Sequence, residues 1–381
     1  MSPFNLEGLR RRPDVEAADL IAVDAADRLL LDTAVDRLSQ GDGVATINDS
    51  YGALTLGAAQ LGHGRPVQVF QDGIVNERAL ALNAADRDMA DSYRLHALDA
   101  PLFDGVKTVL LRLPRSLDEL DEIAWTIAAH AQSDVQILAA GRTKHMSVSM
   151  NAILGRYFGK VTAGLGRQKS RIISVSQPLP VSQSRFPRTG RHDVGLEHPL
   201  ELRAYGATFG GAALDPGTGL LFPHLHGLTR PLSGIAGGTV VDLGCGNGAV
   251  SAYLALVRPE LGVRASDQSA SAVASTTATA AANGVADRVS VTRDDALSTF
   301  PDASVGAIVL NPPFHIGGTV HAGIAHKLFA ACARVLPPGG ELWTVWNSHL
   351  RYRGVLERLI GPTRQLSRSA RFTVTCSTRR P

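Results

Sequence analysis

The stretch Val240-Val241-Asp242-Leu243-Gly244-Cys245-Gly246-Asn247-Gly248 decides the fold of the C-terminal half of the chain. Its apolar residues are typical of a buried strand, and the glycines that follow are typical of a turn into a helix. Gly244 and Gly246 allow the backbone to turn sharply and to approach a ligand that any Cβ would obstruct. The stretch therefore predicts a nucleotide-binding strand, turn and helix.

The spacing of the glycines indicates which ligand this turn binds. A dinucleotide site reads G-x-G-x-x-G, whereas this turn reads G-x-G-x-G after Asp242, which is the form used by methyltransferases. We therefore expect S-adenosyl-L-methionine as the cofactor, with its amino-acid end against Gly244, Gly246 and Asn247. Asp242 is expected to orient the cofactor ammonium, and the alternative for it is a strand-end carboxylate that caps local amides.

Two further aspartates follow predicted strands in the same half. Asp267 comes directly after a strand predicted at 262–266, where a carboxylate can accept both ribose hydroxyls. Asp295 follows a strand predicted at 289–292 and is expected to accept from the adenine amino group. The alternative for Asp295 is a turn-initiating or helix-capping aspartate.

The pentapeptide Asn311-Pro312-Pro313-Phe314-His315 follows a strand predicted at 307–310 and predicts the catalytic loop. An exocyclic amine delocalises its lone pair into its ring, so acceptors must orient it before it attacks a methyl group. The Asn311 side-chain oxygen and the Pro312 carbonyl are expected to accept its two N–H bonds. Pro312 and Pro313 stiffen the loop, and Phe314 is expected to stack on the target base. The alternative is an ordinary strand-ending turn.

Apolar strand-like runs alternate with alanine-rich helical stretches on both sides of a segment rich in Pro, Ser, Arg and His. We interpret 1–180 as one domain, 181–201 as a linker and 202–381 as a second, catalytic domain. Besides the strands given above, the pattern predicts strands at 43–47, 66–70, 106–112, 134–139, 239–243 and 340–346, and helices at 54–61, 76–85, 116–131, 249–257, 270–283 and 322–335.

The two halves also echo each other in sequence. Ile47-Asn48-Asp49-Ser50-Tyr51-Gly52-Ala53 aligns without a gap with Leu243-Gly244-Cys245-Gly246-Asn247-Gly248-Ala249, and Leu111-Arg112-Leu113-Pro114 aligns with Leu310-Asn311-Pro312-Pro313. The N-terminal copy has lost two of the three glycines and the catalytic asparagine. The predicted fold is therefore α/β, with two tandem Rossmann-like class I methyltransferase domains of which the N-terminal one is degenerate.

The composition limits the remaining possibilities. The chain has 381 residues, 44% of them hydrophobic, a formal net charge of +3 and three cysteines, which fits neither a disulfide framework nor a zinc cluster. The histidines lack a metal-ligand spacing, so we expect no metal. No apolar run is long enough to span a bilayer, and we expect a cytoplasmic protein. The basic clusters are expected either to contact RNA phosphates or to form a solvated surface.

Taken together, these motifs resemble the bacterial ribosomal RNA guanine-N2 methyltransferases, which have two tandem methyltransferase-like domains. The resemblance covers nearly the whole chain and is carried by 48–54, by 205–209, by the Leu214-Asp215-Pro216-Gly217-Thr218-Gly219 segment, by the glycine turn and by 311–315. It implies that Phe209 and Gly217 approach the cofactor. It also implies that the degenerate domain grips RNA, for which the candidate residues are Lys144, Lys160, Lys169 and Arg171.

The full glycine-turn string and 295–298 look more like the large-subunit enzyme of this family than the small-subunit one. The resemblance therefore implies a guanine of 23S ribosomal RNA, in protein-depleted RNA, as the substrate of a monomeric enzyme. Guanine in 16S ribosomal RNA is the first alternative. Methylation of adenine N6 or of a glutamine side chain is the second, and a non-enzymatic RNA-binding or assembly factor is the third. The linker is shorter than the family leads one to expect.

Overall fold

The chain divides into two compact units, Met1–Phe186 and Pro187–Pro381. The structure is a computed structural model that describes residues 4–17, 20–62, 64–228, 239–313 and 322–381. Each unit is an α/β layer structure with its own central sheet.

Unit 1 contains a seven-stranded sheet in the order β3-β2-β1-β4-β5-β7-β6. The strands β1 to β5 are parallel, and β7 and β6 add an antiparallel edge. The strands are β1 Gly43–Ile47, β2 Val67–Phe70, β3 Tyr93–Leu95, β4 Val106–Arg112, β5 Gln136–Arg142, β6 Phe158–Ala163 and β7 Ser170–Pro178, and the α-helices are α1 Ala25–Leu38, α2 Ala53–Ala59, α3 Ile74–Ala85, α4 Leu117–His130 and α5 Val148–Leu154.

Unit 2 repeats this arrangement in a sheet of order β12-β11-β10-β13-β14-β16-β15, and a hairpin of β8 and β9 precedes it. Its strands are β8 Arg188–His192, β9 Leu200–Ala204, β10 Thr239–Leu243, β11 Gly262–Asp267, β12 Val289–Arg293, β13 Ala307–Leu310, β14 Glu341–Asn347, β15 Thr363–Arg368 and β16 Phe372–Thr378. Its α-helices are α6 Pro216–Leu225, α7 Ala249–Val257, α8 Ala270–Ala282, α9 Ala322–Val335 and α10 Arg353–Leu359.

The strand order of the two sheets is the same, which supports the duplication inferred from the sequence. Each strand and helix predicted from the sequence is present. The prediction omitted β3, the hairpin β8–β9, the antiparallel edges β6–β7 and β15–β16, and the helices α1, α5, α6 and α10. Of these helices, α1 and α6 precede the first strand of each sheet.

The cores lie on both faces of each sheet, as the parallel arrangement requires. Successive residues of a strand enter different hydrophobic clusters, for example Val240 and Val241 in unit 2, and Val44 and Ala45 in unit 1. The alternation buries the central strands completely and leaves their carboxyl ends as the exposed edge for ligands.

The linker predicted at 181–201 is wrong in its second half. Residues Arg188–His192 form β8, which pairs antiparallel with β9 inside unit 2. The side chains of β8 are intermediate or exposed, so the strand lacks the apolar alternation by which strands are found in a sequence. His192 Nε2 and the Ala212 carbonyl oxygen lie 2.8 Å apart, which holds this strand against the following loop.

The turn between β10 and α7 brings two helices close together. Gly248 caps α7 with φ +79°, and a Cβ on it would lie 2.9 Å from the Cα of Thr276 in α8. Gly284, which follows α8, has a similar φ of +68°, but nothing lies within 4 Å of the place of its Cβ. Both glycines therefore have a left-handed backbone conformation, but only at position 248 would a Cβ clash with neighbouring atoms.

We expect Gly248→Ala to destabilise unit 2 more than Gly284→Ala does. The left-handed backbone costs each alanine about 1–2 kcal/mol, and the clash with backbone atoms of α8 adds about 1–3 kcal/mol at Gly248 only. Urea unfolding monitored by the fluorescence of Trp343 and Trp346, in a Trp125→Phe background, reports on unit 2 alone, since the chain has three tryptophans. Equal midpoints for the two variants would contradict the steric account.

Candidate active site

The carboxyl ends of three neighbouring parallel strands meet at one edge of the unit 2 sheet. Leu243 at the end of β10 is in register with Ser266 of β11 and with Leu310 of β13. Gly244 and Asn311, which follow β10 and β13, and Asp267, which ends β11, are therefore brought together, as predicted for an open α/β sheet.

The glycine turn forms an open wall at this edge. The Gly244 N–H donates to the Ser266 carbonyl oxygen at 2.7 Å, which ties the turn to the neighbouring strand. Gly244 and Gly246 have φ values of +72° and +55°, and no atom lies within 4 Å of the place where a Cβ on either would be. The backbone here borders open space that side chains would fill, so the turn fits a ligand that packs against the main chain.

Asp267 is held beside this turn by backbone hydrogen bonds. Its Oδ2 accepts from the Gly246 N–H and its Oδ1 from the Ser269 N–H, both at 3.0 Å. These bonds fix the carboxylate at the carboxyl end of β11, which is where the sequence predicted a ribose-binding acid.

Asp242 is buried beneath the turn rather than exposed in it. Its Oδ2 accepts a hydrogen bond of 2.6 Å from the Ser251 hydroxyl of α7. Burial, opposed by the Ser251 hydrogen bond and reinforced by the nearby Asp267 charge, raises the pKa of the Asp242 carboxyl to about 7. The charge on Asp242 therefore changes near neutral pH and responds to a cation bound nearby.

Asn247 fastens a loop to the turn. Its Nδ2 donates to the carbonyl oxygens of Gly211 and Ala213, each at 2.9 Å. The loop begins after Phe209, whose side chain is 78% exposed. Asn247 thus positions the segment that carries Phe209, a role that the sequence did not indicate.

Asp295 has a basic partner that the sequence analysis missed. Both of its carboxylate oxygens accept from Lys327 Nζ of α9, at 2.7 and 2.6 Å. Its neighbour Asp294 is buried and accepts from the Thr299 N–H at 3.0 Å and from the Ser298 hydroxyl. Asp294 therefore holds the loop after β12, and Asp295 faces α9.

Asn311 is the residue whose surroundings are most informative. Its Nδ2 donates to Asp215 Oδ1 at 2.9 Å and to Thr218 Oγ1 at 3.1 Å. Its Oδ1 is enclosed and has no hydrogen-bond partner among the described residues. If the amide were reversed, its Oδ1 would face the carboxylate of Asp215 and the hydroxyl oxygen of Thr218, and the carboxylate would repel it. The side chain therefore presents an unpaired acceptor.

The rest of the predicted catalytic loop is described only in part. Pro312 is buried and Pro313 is exposed. Phe314 and His315 lie outside the described residues. Gly217, predicted to approach the cofactor, lies in the first turn of α6, and a Cβ on it would be 3.1 Å from the Phe372 ring and 3.0 Å from Asp215 Oδ1. Close packing by itself accounts for a glycine at this position.

Neither a nucleophilic thiol nor a metal cluster adds to this site. All three cysteines are buried, and burial raises the pKa of the Cys245 thiol well above its usual value. Among the described residues, no group of His, Cys, Asp and Glu side chains is arranged to hold a metal ion.

Unit 1 repeats the glycine turn with side chains in place of two glycines. Asn48, Ser50 and Gly52 have φ values of +62°, +65° and +91°, so the backbone keeps the left-handed conformation of the unit 2 turn. Side chains at Asn48 and Ser50 occupy the positions that are open at Gly244 and Gly246. A ligand packed against this turn in the way that Gly244 and Gly246 allow would meet them.

The acids of the site are also replaced in unit 1. Gln71 Oε1 accepts from the Ser50 N–H at 3.3 Å, as Asp267 accepts from the Gly246 N–H, so an amide stands where unit 2 has a carboxylate. The hydroxyls of Thr46 and Thr55 lie 2.8 Å apart in place of the Asp242–Ser251 pair. The first copy has therefore lost these two carboxylates but kept hydrogen bonds at their positions.

The candidate RNA-binding residues of unit 1 do not form one cluster. Lys144 follows the end of β5, where the Thr143 N–H donates to the Lys169 carbonyl oxygen at 2.9 Å, and Arg171 of β7 pairs with Gly141 of β5. We call Lys144, Lys169 and Arg171 the β5 patch. Lys160 pairs with Ser176 near the other end of β7, about 17 Å along the strand from Arg171. All four are exposed.

Other arginines of the basic segments have internal partners. Arg156 and Arg185 both contact the buried carboxylate of Asp121, at 3.3 and 3.5 Å. They therefore neutralise an acid inside unit 1, and their count in the sequence overstates the charge available to RNA.

Two family models of known proteins match the chain, one over most of unit 1 and the other over most of unit 2. The family model described as the RLMG N-terminal domain matches residues 2–179, and the Methyltransferase small domain model matches residues 199–376. The described helices include none that is long and apolar enough to cross a membrane.

A solved structure shares the fold of the whole chain. The 16S rRNA N2 methyltransferase RsmC of T. Thermophilus, in complex with AdoMet and guanosine, superposes with a TM-score of 0.74 at 20% sequence identity, covering 94% of this chain and 92% of its own. The tandem methyltransferase fold predicted from the sequence is thereby confirmed.

Curated relatives match the chain from end to end. Ribosomal RNA large subunit methyltransferase G of Streptomyces coelicolor is 31% identical over 379 residues, and the protein of the same name from Pseudomonas syringae pv. syringae is 33% identical over 383 residues. Both alignments cover 98% of this chain and 98% of the relative. The chain therefore belongs to the ribosomal RNA large subunit methyltransferase G family.

Proposed function

We propose that this protein transfers a methyl group from S-adenosyl-L-methionine to the exocyclic N2 amine of a guanine in 23S ribosomal RNA. The observation that carries the proposal is the enclosed Asn311 Oδ1, an acceptor without a partner at the carboxyl edge of the unit 2 sheet. The full-length relatives, named for the large ribosomal subunit, favour 23S over 16S RNA.

The residues around the glycine turn are suited to hold the cofactor. S-adenosyl-L-methionine, when bound, supplies an electrophilic methyl group on a sulfonium. Gly244 and Gly246 border space for its amino-acid end, and Asp267 is held where a carboxylate accepts from ribose hydroxyls. Asp242 acts from below the turn through its charge, and Asp295, held by Lys327, is our candidate acceptor for the adenine amino group.

Asn311 orients the nucleophile in the reaction that we propose. Its Oδ1 and the Pro312 carbonyl oxygen accept the two N–H bonds of the amine, which turns the nitrogen lone pair towards the methyl group. Phe314 stacks on the guanine ring from the part of the loop outside the described residues. On receiving the methyl group that the cofactor would supply, the amine would release one of its two protons to solvent, and the electron pair of the former methyl–sulfur bond would remain on sulfur.

The target guanine must be unpaired when it reaches this loop. The N2 amine is the donor that guanine presents in the minor groove, and in a duplex it pairs with cytosine, so the base is either single-stranded or flipped out. As the family resemblance implies, we propose protein-depleted RNA rather than the assembled subunit as the substrate. We also propose that the enzyme is a cytoplasmic monomer that grips RNA through the β5 patch.

We expect Asn311→Ala to lower methyl transfer by roughly 10²- to 10³-fold or more, because it removes an acceptor that acts on the attacking amine. Cofactor affinity, measured by calorimetry, should stay within about threefold of wild type, since the amide is directed at the nucleophile. Normal turnover in this variant would remove the proposed mechanism.

We expect cofactor affinity to rise with pH through about 7. Below this pKa the Asp242 carboxyl is protonated, so binding a cationic ligand must displace a proton and affinity falls by up to tenfold per pH unit. Above the pKa the carboxylate is already ionised and affinity levels off. Calorimetry between about pH 5.5 and 8.5 measures this, and Asp242→Asn should give a flatter profile. If Asp242→Asn had the same pH dependence of cofactor affinity as the wild type, Asp242 would not be the group that causes it.

We expect charge reversal of the β5 patch, Lys144→Glu with Lys169→Glu, to weaken RNA binding and to lower the salt slope by roughly 0.7–0.9 per lost phosphate contact. Lys107→Glu is the control for each single reversal, Lys144→Glu or Lys169→Glu, because Lys107 lies at the opposite end of the parallel strands, where it contacts Asp42 at 3.3 Å. Lys160→Glu tested alone shows whether the surface extends along β6. Equal effects of the patch and control variants would count against the patch.

The substrate itself is tested by methyl incorporation from labelled cofactor into protein-free 23S and 16S RNA separately, followed by nucleoside analysis. N2-methylguanosine in 23S RNA alone is the expected result. Label in 16S RNA alone would transfer the proposal to the small subunit, and methylated adenine or a labelled protein in place of guanine would overturn it.

A further inference from the structure

We propose that Asp215 is a positioning residue of the methyl-transfer reaction, which fixes the Asn311 amide with its oxygen towards the substrate amine. The inference rests on the proposed function and adds a residue to it. Asp215 is the N-cap residue of α6 and lies 96 positions before Asn311 in the chain. Among the described hydrogen bonds of Asp215, the bond to Asn311 is the one that reaches the end of a strand.

A single oxygen of Asp215 makes both of its relevant bonds. Asp215 Oδ1 accepts from the Thr218 N–H at 2.9 Å, which caps the helix, and from Asn311 Nδ2, also at 2.9 Å. The cap fixes this oxygen relative to the backbone of α6. The fixed oxygen in turn selects one of the two orientations of the Asn311 amide, because only the NH₂ end can face a carboxylate.

The selected orientation is the productive one. With Nδ2 directed at Asp215 and Thr218, the opposite end of the amide is the enclosed Oδ1 that lacks a partner. Without Asp215 the amide can rotate or reverse, which offers the amine a donor where the reaction needs an acceptor. The charge-assisted bond is also stronger than a neutral one, so it holds the side chain against rotation.

The duplicated unit retains the same contact between different side chains. Asp24 caps α1, which precedes the first strand of unit 1 as α6 precedes that of unit 2, and it accepts from Arg112 at 2.8 and 3.0 Å. Arg112 ends β4 at the position equivalent to Asn311. Arg112 also contacts Asp27 at 3.1 Å, the residue equivalent to Thr218. Both copies thus link a helix cap to the end of the fourth parallel strand.

The activities of proteins with aspartate, asparagine or glycine at position 215 distinguish a positioning role of this residue from a helix-capping role. Asparagine and glycine both serve as N-caps, with glycine only slightly weaker than aspartate, so a capping role predicts near-normal activity for Asp215→Asn and Asp215→Gly. Asp215→Asn keeps an oxygen in place for Asn311, because the same atom must accept the Thr218 N–H. Asp215→Gly removes every acceptor at this position.

We expect Asp215→Gly to lower kcat by roughly 10- to 100-fold, with KM for RNA and cofactor affinity within about threefold of wild type. Asp215→Asn should retain kcat within about threefold. Turnover is measured on whichever ribosomal RNA the wild-type protein methylates, cofactor affinity by calorimetry, and Tm by thermal unfolding. A tenfold loss in Asp215→Asn at unchanged Tm, or normal kcat in Asp215→Gly, would overturn the inference.

A second readout does not depend on methylation. In ¹⁵N-labelled protein, the side-chain NH₂ signals of Asn311, assigned by their loss in Asn311→Ala, should shift in Asp215→Gly and stay near their wild-type positions in Asp215→Asn. Unshifted signals in Asp215→Gly would show that the bond does not hold the amide, whatever the substrate is. Failure of the wild-type protein to methylate any ribosomal RNA would overturn the proposed function and leave this measurement standing.

Discussion

Both units depend on one constraint, a left-handed turn between the first strand of the sheet and the helix that follows it. Three positions of each turn have positive φ, at 48, 50 and 52 in unit 1 and at 244, 246 and 248 in unit 2. Glycine satisfies this at no steric cost, and the asparagine and serine of unit 1 satisfy it at a cost of about 1–2 kcal/mol each. A bond of 2.7 Å from Asn48 to Glu119 offsets part of that cost. The fold could therefore persist after the ligand site was lost.

The site is built by fixing side chains through contacts that do not themselves face the ligand. Asn247 holds a loop, Lys327 holds Asp295, and Asp215 holds Asn311. Each of these contacts restricts the orientation of the group that it holds, which is the loop, Asp295 or Asn311. Because chemistry on a delocalised amine depends on the direction of a lone pair, the rigidity of these supporting bonds matters as much as the identity of the residues that they support.

The sequence sufficed for features that are local in the chain. The buried parallel strands and the glycine turn each have a short, self-contained pattern, and the structure has both. Of the predicted proline-stiffened loop the structure describes only Asn311, Pro312 and Pro313. The Asp215–Asn311 and Asp295–Lys327 contacts join residues far apart in sequence, and no pattern within either segment specifies its partner. The sequence does not indicate β8, because the side chains of this strand do not alternate between buried and exposed. Lys160 is near the residues of the β5 patch in sequence, but the antiparallel pairing of β6 with β7 places it near the other end of β7.

The ion pair at the end of β4 also bears on how unit 1 changed over time. Arg112 is partly buried against Asp24 and Asp27, and burial raises the pKa of the Asp27 carboxyl to about 7 even with the arginine beside it. Replacing Arg112 by the asparagine of the active copy would leave two carboxylates facing each other without a cation, at a cost of about 3–5 kcal/mol. Asp27 would have to be lost before Arg112 could be. Unit 1 can therefore regain the active-copy residue at position 112 at low cost only if position 27 changes with it, so the two positions are coupled.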